Sequence, residues 1–223
     1  MKIARTIKSV RGLVRAARKA GRRIGLAPTM GALHEGHISL IKRSVKDGNF
    51  TVVSIFVNPT QFGPREDLAK YPRPIRADLK ICKEQGVDVV FIPTAKEIYG
   101  GGTVTWVEVE KLSEPMCGKF RPGHFRGVAT VCAKLFNIVS PDFAYFGQKD
   151  AQQAAVIRRM VAELNFPLKV EVCPTVRAAD GLALSSRNEY LTVRERKEAA
   201  RIYRSLVIAR AMIKGLKCSG VYF

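Results

Sequence analysis

The stretch Ala27-Pro-Thr-Met-Gly-Ala-Leu-His-Glu-Gly-His37 stands between a short apolar run, Ile24 to Ala27, and a run with apolar positions at helical spacing, Ile38-Ser-Leu-Ile-Lys-Arg-Ser-Val45. That order reads as strand, glycine-containing turn, helix. It puts His34 and His37 in the first turn of a helix, where backbone N–H groups lack partners and the helix dipole favours an anion. Gly36 between them lets a ligand approach. An H-x-G-H of this form suits nucleotidyl transfer, because two imidazole donors, neutral or protonated, can follow charge as it builds on phosphates. The four letters alone also fit a pair of surface histidines at a helix start.

Outward from this stretch, strand-like and helix-like runs alternate. Ile24 to Ala27, Thr51 to Val57, Val87 to Ile92 and Phe143 to Phe146 are short and rich in β-branched or aromatic residues, whereas Ile38 to Lys46, Ile75 to Gln85, Val128 to Val139 and Ala151 to Leu164 carry apolar residues at helical spacing. Alternation of this kind predicts an α/β fold, a parallel sheet with helices on both faces. Ligands of such sheets collect at the carboxyl ends of strands, where Pro28 to Met30, Asn58 to Gln61 and Gly147 to Asp150 all fall. Gly100 to Glu110 alternates like an exposed strand. After Pro174 a loop, Thr175 to Asn188, leads into a long charged helix from about Thr192 to Lys214, with Thr192 as its cap. The expected division is a first domain over 1–175 and the beginning of a smaller one over 176–223.

Composition bounds the function. The chain has 223 residues, 47% of them apolar, enough to bury a core. It contains no apolar run of membrane-spanning length and no signal-like N-terminus, so the cytoplasm is the expected compartment. Cys82, Cys117, Cys132, Cys173 and Cys218 form no C-x-x-C pair and read as reduced, mostly buried thiols. Thirty-eight Lys and Arg against 19 Asp and Glu give a net charge of +19, which suits anionic substrates or a nucleic acid. The basic residues are dispersed, however, and the densest run, Arg11 to Arg23, is spaced like the solvent face of an amphipathic helix without interleaved aromatics. A nucleic-acid role is therefore not expected.

Five stretches together carry a resemblance: Pro28-Thr-Met-Gly-Ala-Leu-His-Glu-Gly-His37, Val57-Asn-Pro-Thr-Gln-Phe-Gly63, Arg121-Pro-Gly-His-Phe-Arg-Gly-Val128, Tyr145-Phe-Gly-Gln-Lys-Asp-Ala-Gln-Gln153 and Leu184-Ser-Ser-Arg-Asn188. In order and spacing they resemble the pantothenate synthetases, from about Ile24 to Arg204. The resemblance implies a Rossmann-like sheet of the H-x-G-H nucleotidyltransferase class. It also implies an ATP-dependent ligase that joins pantoate to β-alanine through a pantoyl adenylate, releasing AMP and pyrophosphate. A carboxylate needs such activation before an amine can displace its oxygen, and this phosphoryl chemistry asks the protein for positioning and charge stabilisation.

The resemblance also assigns residues. Met30, Gly31, Ala32, Leu33, His34, Glu35, Gly36 and His37 form the nucleotide cradle, with His37 as proton donor and His34 beside it. Gly147, Gln148, Lys149 and Asp150 form a second nucleotide contact, in which Lys149 is a point positive charge for the α- and β-phosphates. Val176 is an adenine-side backbone contact. Leu184, Ser185, Ser186 and Arg187 form a mobile turn whose Arg187 offers a planar fork to the β- and γ-phosphates. Gln61 and Gln153 bind pantoate, Gln61 also lies near β-alanine, and Asn58 supports the same pocket. A glutamine amide serves hydroxyls without blunting the carboxylate's nucleophilicity. Arg121 is within reach of phosphates, and His124 reads as a helix-start or loop-fixing residue.

Mg²⁺ is implied by the reaction and the family, with no ligand residue named; Asp78 reads as a solvated surface charge. A homodimer is also implied, and the alternating segment near Thr103 to Glu108 could pair across its two-fold axis. Pro74 and Arg76 depart from the family pattern, and Pro74 limits where the next helix begins. The chain ends at Phe223, short of a full-length member, so an incomplete lid and impaired turnover are expected. Two other functions fit parts of the sequence: a different H-x-G-H nucleotidyltransferase, against which the uncharged Gln61 and Gln153 speak, and a non-catalytic basic RNA-binding paralogue.

Overall fold

The computed structural model describes residues 1–64 and 66–218. By its backbone contacts the chain divides into two compact units, Met1–Pro174 and Thr175–Phe223. The first unit contains β1 (Lys2–Ala4), α1 (Ile7–Lys19), β2 (Ile24–Thr29), α2 (Glu35–Lys46), β3 (Phe50–Ile55), α3 (Ile75–Glu84), β4 (Val89–Phe91) and α4 (Ala95–Tyr99). It continues through α5 (Cys117–Phe120), α6 (His124–Val139), β5 (Phe143–Gly147), α7 (Ala151–Glu163) and β6 (Lys169–Cys173). All strand pairs are parallel, in the order β1-β4-β3-β2-β5-β6.

Strand side chains alternate between two cores. Leu26, Val52, Val89, Phe91, Ala144 and Phe146 pack on the face covered by α1, α6 and α7. Ala27, Val53, Ile55, Val90 and Tyr145 pack on the face covered by α2 and α3. Because both faces are covered, the strands are apolar almost throughout, as a parallel sheet requires. The basic run of α1 behaves as its spacing predicts: Thr6 caps it, Val10, Val14 and Ala17 are buried, and the charges face solvent.

Some expectations fail for identifiable reasons. β1 and β6 are edge strands hidden from an apolar-run criterion, β1 by its three-residue length and Lys2, β6 by its alternating Lys169 and Glu171. Residues 103–109 form no strand; Val107 instead exchanges hydrogen bonds with the Thr130 hydroxyl of α6, and Val104 is 97% exposed with no ladder partner. Asp78 is not a surface charge but is 1% exposed. Cys82, Cys132 and Cys173 are buried thiols, whereas Cys117 is exposed.

In the second unit, an isolated antiparallel bridge joins Arg177 to Ala183, a 3-10 turn covers Ser186–Tyr190, and two helices follow, α8 (Val193–Ala199) and α9 (Arg201–Cys218). The single long helix expected from Thr192 is thus interrupted at Ala200. Thr192 does cap it, accepting from the Glu195 N–H while Glu195 reaches back to the Thr192 N–H, a reciprocal capping box. The side chain of Cys218 and the ending at Phe223 lie outside the described residues. No described helix is long and apolar enough to cross a membrane.

Candidate active site

The sheet order fixes where a ligand can bind. From β2 the chain builds outward through β3 and β4 on one side, whereas β5 and β6 lie on the other, so the direction of growth reverses between β2 and β5. Loops leaving such a pair diverge and open a crevice at the strands' carboxyl ends. The loop after β2 carries His34 to His37. The loop after β5 carries Gly147 to Asp150.

His34 is the N-cap of α2, and its Nδ1 accepts the N–H of Gly36 at 3.1 Å. The N–H of His34 is in turn donated to Nδ1 of His37 at 3.4 Å. A neutral imidazole whose Nδ1 accepts carries its proton on Nε2, so both rings offer an Nε2–H donor. The two rings are in contact, with centroids 4.2 Å apart and planes tilted by 41°. Burial, then the neighbouring His34 and Lys149, push the His37 pKa down to about 3. Burial first, then Lys149, also lowers that of His34. The charge of Lys149, on the loop after β5, thus acts on both rings of the loop after β2. His37 is held as a neutral hydrogen-bond donor near pH 7.

Gly36 is needed for this arrangement, since a Cβ there would stand 2.8 Å from Cε1 of His34. The turn before it is held by a residue the sequence reading misplaced. Asp78 of α3 accepts the N–H of Ala32 at 3.0 Å and of Leu33 at 2.8 Å. Gly31 and Ala32 both have positive φ, 84° and 50°, and a Cβ on Gly31 would come within 3.0 Å of Asp78 Oδ2. Burial raises the Asp78 pKa against the opposing effect of the Leu33 and Ala32 hydrogen bonds. A carboxylate on the same helix stripe as Ile75, Leu79 and Cys82 was the signal available in the sequence.

The loop after β3 presents Gln61. Its Nε2 donates to Sδ of Met30 at 2.9 Å, and its Oε1 accepts from Nδ2 of Asn58 at 3.2 Å. Asn58 is 1% exposed and its amide is occupied: Nδ2 also donates to the Gly127 carbonyl at 3.2 Å, and Oδ1 accepts from the Tyr99 hydroxyl at 2.7 Å and the Thr60 hydroxyl at 3.0 Å. Asn58 supports Gln61 from behind. Gln153, in the first turn of α7, is half-buried, and its amide has no hydrogen-bond partner among the described residues. A cleft of about 380 Å³, lined in part by Met30, Gly31, Ile55, Val57 and Pro59, adjoins Gln61.

Arg121 and His124 also converge on Gln61. Nδ1 of His124 donates to the Gln61 carbonyl at 2.8 Å, and Nη1 of Arg121 donates to His124 Nε2 at 3.0 Å. Arg121 grips Glu66 side-on, Nε on Oε1 at 2.9 Å and Nη2 on Oε2, and holds its carboxyl below the usual range. His124 therefore fixes a loop at a helix start, as its position predicts. Arg121 engages a carboxylate in this structure.

In the second unit, the Leu184 N–H donates to the Val176 carbonyl at 3.0 Å, and Ser185 caps the turn containing Ser186 and Arg187, its Oγ accepting the Arg187 N–H at 3.3 Å. These expected residues thus share one local structure.

The model of the family described as pantoate-beta-alanine ligase matches residues 2–220. The chain belongs to that family. The pantothenate synthetase of Acetivibrio thermocellus is 55% identical over 214 residues, and that of Moorella thermoacetica 56% over the same length; each alignment covers 96% of this chain and 76% of the relative. The crystal structure of the ligase from Thermus thermophilus superposes with a TM-score of 0.92 at 47% identity, covering 96% of this chain and 76% of that one. The Francisella tularensis ligase, solved in complex with beta-gamma ATP and beta-alanine, gives a TM-score of 0.87 at 42% identity, covering 92% and 78%. The pantoate–β-alanine ligase fold is thus shared at high identity.

Proposed function

We propose that this chain condenses pantoate with β-alanine at the expense of ATP, through a pantoyl adenylate, with the crevice between β2 and β5 as its active site. The observation that carries the reading is the sheet order, which sets the paired His34 and His37 after β2 and Lys149 after β5 on the two sides of the reversal point.

In the first step a carboxylate oxygen of pantoate attacks the α-phosphorus of ATP, and the bond from that phosphorus to the bridging oxygen of pyrophosphate breaks. Negative charge grows on the phosphoryl oxygens and the leaving group. Two fixed Nε2–H donors and the Lys149 ammonium meet that charge without reorganisation at the moment of reaction. Because His37 stays neutral, its contribution is a hydrogen bond that strengthens as the charge develops. Met30 to His37 and Gly147 to Asp150 form the cradle, and the family resemblance assigns Val176 and Leu184 to Arg187 to nucleotide binding as well. Gln61 and Gln153 hold the pantoate hydroxyls, and the apolar wall of Met30, Ile55 and Val57 suits its two methyl groups. In the second step the amine of β-alanine attacks the acyl carbon and AMP leaves.

Among the described residues no group of three or more His, Cys, Asp or Glu side chains could hold a metal ion, and Asp78 spends both oxygens on backbone N–H groups. Mg²⁺ belongs to the reading as part of the MgATP substrate, carried on the phosphates. A cytoplasmic homodimer also belongs to it, supported by the family resemblance.

The test is exchange of labelled pyrophosphate into ATP. Exchange that requires pantoate supports the reading. Absence of exchange with pantoate, accompanied by salt-sensitive RNA binding, refutes it.

A further inference from the structure

We infer that Arg121 is the anchor for the carboxylate of the amine substrate, and that Glu66 occupies its fork until that substrate arrives. The inference rests on the ligase reading and deepens it, because that reading leaves the second substrate's negative end without a partner.

β-Alanine is an amine on a two-carbon tether to a carboxylate. Its amine must reach the acyl group held beside Gln61, so its carboxylate must lie about 4 Å farther along the tether, from ordinary bond lengths. Among the described residues, Arg121 is the cation in hydrogen-bond contact with Gln61, its Nη2 lying 3.5 Å from the Gln61 carbonyl. Its guanidinium is half-buried and oriented by His124, which itself holds the same carbonyl at 2.8 Å. Arginine's planar fork matches a carboxylate in two parallel hydrogen bonds, and Arg121 already holds one that way in Glu66.

The two partners are not equally fixed. Arg121 is tied to His124 at the start of α6 and through it to Gln61. Glu66 comes from the stretch between the turn at Pro59–Gln61 and α3, in which no described residue is helical or in a strand. A half-buried guanidinium needs a counter-ion in the free protein. Replacing Glu66 with a substrate carboxylate keeps the local charge constant, so the swap exposes no bare cation. The same swap gives specificity. An amine without the carboxylate cannot displace Glu66 and gains no fork contact.

The experiment separates the two half-reactions in the full chain. Pantoate-dependent pyrophosphate exchange reads adenylation, and pantothenate formation at varied β-alanine reads the second step. In Arg121→Gln, kcat/KM for β-alanine is expected to fall about 100-fold, the usual consequence of removing a paired charge, while exchange falls less than tenfold. Preference for β-alanine over its carboxamide should shrink by a similar factor, and Arg121→Lys should lie between. Glu66→Gln should lower the KM for β-alanine. A β-alanine KM unmoved in Arg121→Gln, or equal losses in both half-reactions, overturns the inference while leaving the ligase reading intact. If Arg121→Gln does not fold, Glu66→Gln decides: an unchanged or raised KM overturns it. Absence of pantoate-dependent exchange in the unaltered chain instead overturns the ligase reading and this inference together.

Discussion

Replacing Asp78 by asparagine tests whether the nucleotide loop is shaped from outside itself. In the native turn both carboxylate oxygens accept backbone N–H groups, from Ala32 at 3.0 Å and Leu33 at 2.8 Å. Asparagine keeps one acceptor and turns an NH₂ toward the other N–H. The loss is one charge-assisted hydrogen bond plus a stranded buried donor, each worth roughly 1.5–3 kcal/mol. Relief from burying a carboxylate, visible in its raised pKa, offsets part of this, leaving a net destabilisation of about 2 kcal/mol. The functional cost should exceed that of the stability loss alone. Ala32, at φ 50°, stands in a conformation that costs an L-residue about 1–2 kcal/mol, and release of its N–H lets the turn relax and carry His34 with it. A displacement of about 1 Å at such a site costs on the order of 100-fold in rate. Chemical denaturation should therefore show a lowered midpoint, and pantoate-dependent pyrophosphate exchange at a pH where the protein is fully folded should drop at least tenfold. Glu84→Gln, an exposed change on the same helix, is the control and should alter neither. Asp78→Asn with unaltered midpoint and full exchange would refute the argument.

Three further outcomes follow from the same geometry. Gly36→Ala places a methyl 2.8 Å from the His34 ring, so His34 must leave its cap; exchange should fall at least tenfold at little cost to stability, and a fully active variant would contradict the assignment. The His37 pKa, about 3 in the folded protein, lies below its unfolded value near 6.5, so the unfolded chain takes up a proton that the folded one refuses. The resulting stability is fully present above about pH 6.5 and is lost as pH falls toward 3, at about 1.4 kcal/mol per pH unit, or about 2 kcal/mol between pH 6.5 and 5. His37→Gln should flatten that slope in denaturation curves; an unchanged slope would contradict it. Lys149→Ala removes a charge that depresses both imidazoles, so the NMR titration midpoints of His34 and His37 should rise, and ATP affinity should fall about tenfold or more in calorimetry.

The legible part of the fold was the part with a strong period. The four central strands and the helices after them show their apolar pattern because both sheet faces are covered, and the motif-bearing loops follow from the strand ends. The edge strands were not legible, because Lys2 and the alternating Lys169 and Glu171 face outward on one side. The segment at 103–109 misled for the opposite reason: its alternation reflects Val107 and Val109 touching the core singly, without a strand to pair with. In the candidate site, His34, His37, Lys149, Gln61 and Gln153 were readable as chemistry-bearing residues. Their supports were not. Asp78 and Glu66 act across 45 to 55 residues of sequence, and nothing local in the chain distinguishes a carboxylate clamping a distant turn from one facing water. Asn58 was readable as a support of the pocket, but not the partners that hold it, since Tyr99 and Gly127 reach its amide from 41 and 69 residues away.

The central claim is that two neutral imidazoles aim their Nε2–H groups at a triphosphate. Nitrogen-15 NMR of histidine-labelled protein tests it directly. The account predicts that His34 and His37 near pH 7 both show an accepting Nδ1 and a protonated Nε2, and that a non-hydrolysable ATP analogue shifts both Nε2 resonances. Protons on Nδ1 instead, or Nε2 signals indifferent to the analogue at saturation, would contradict it.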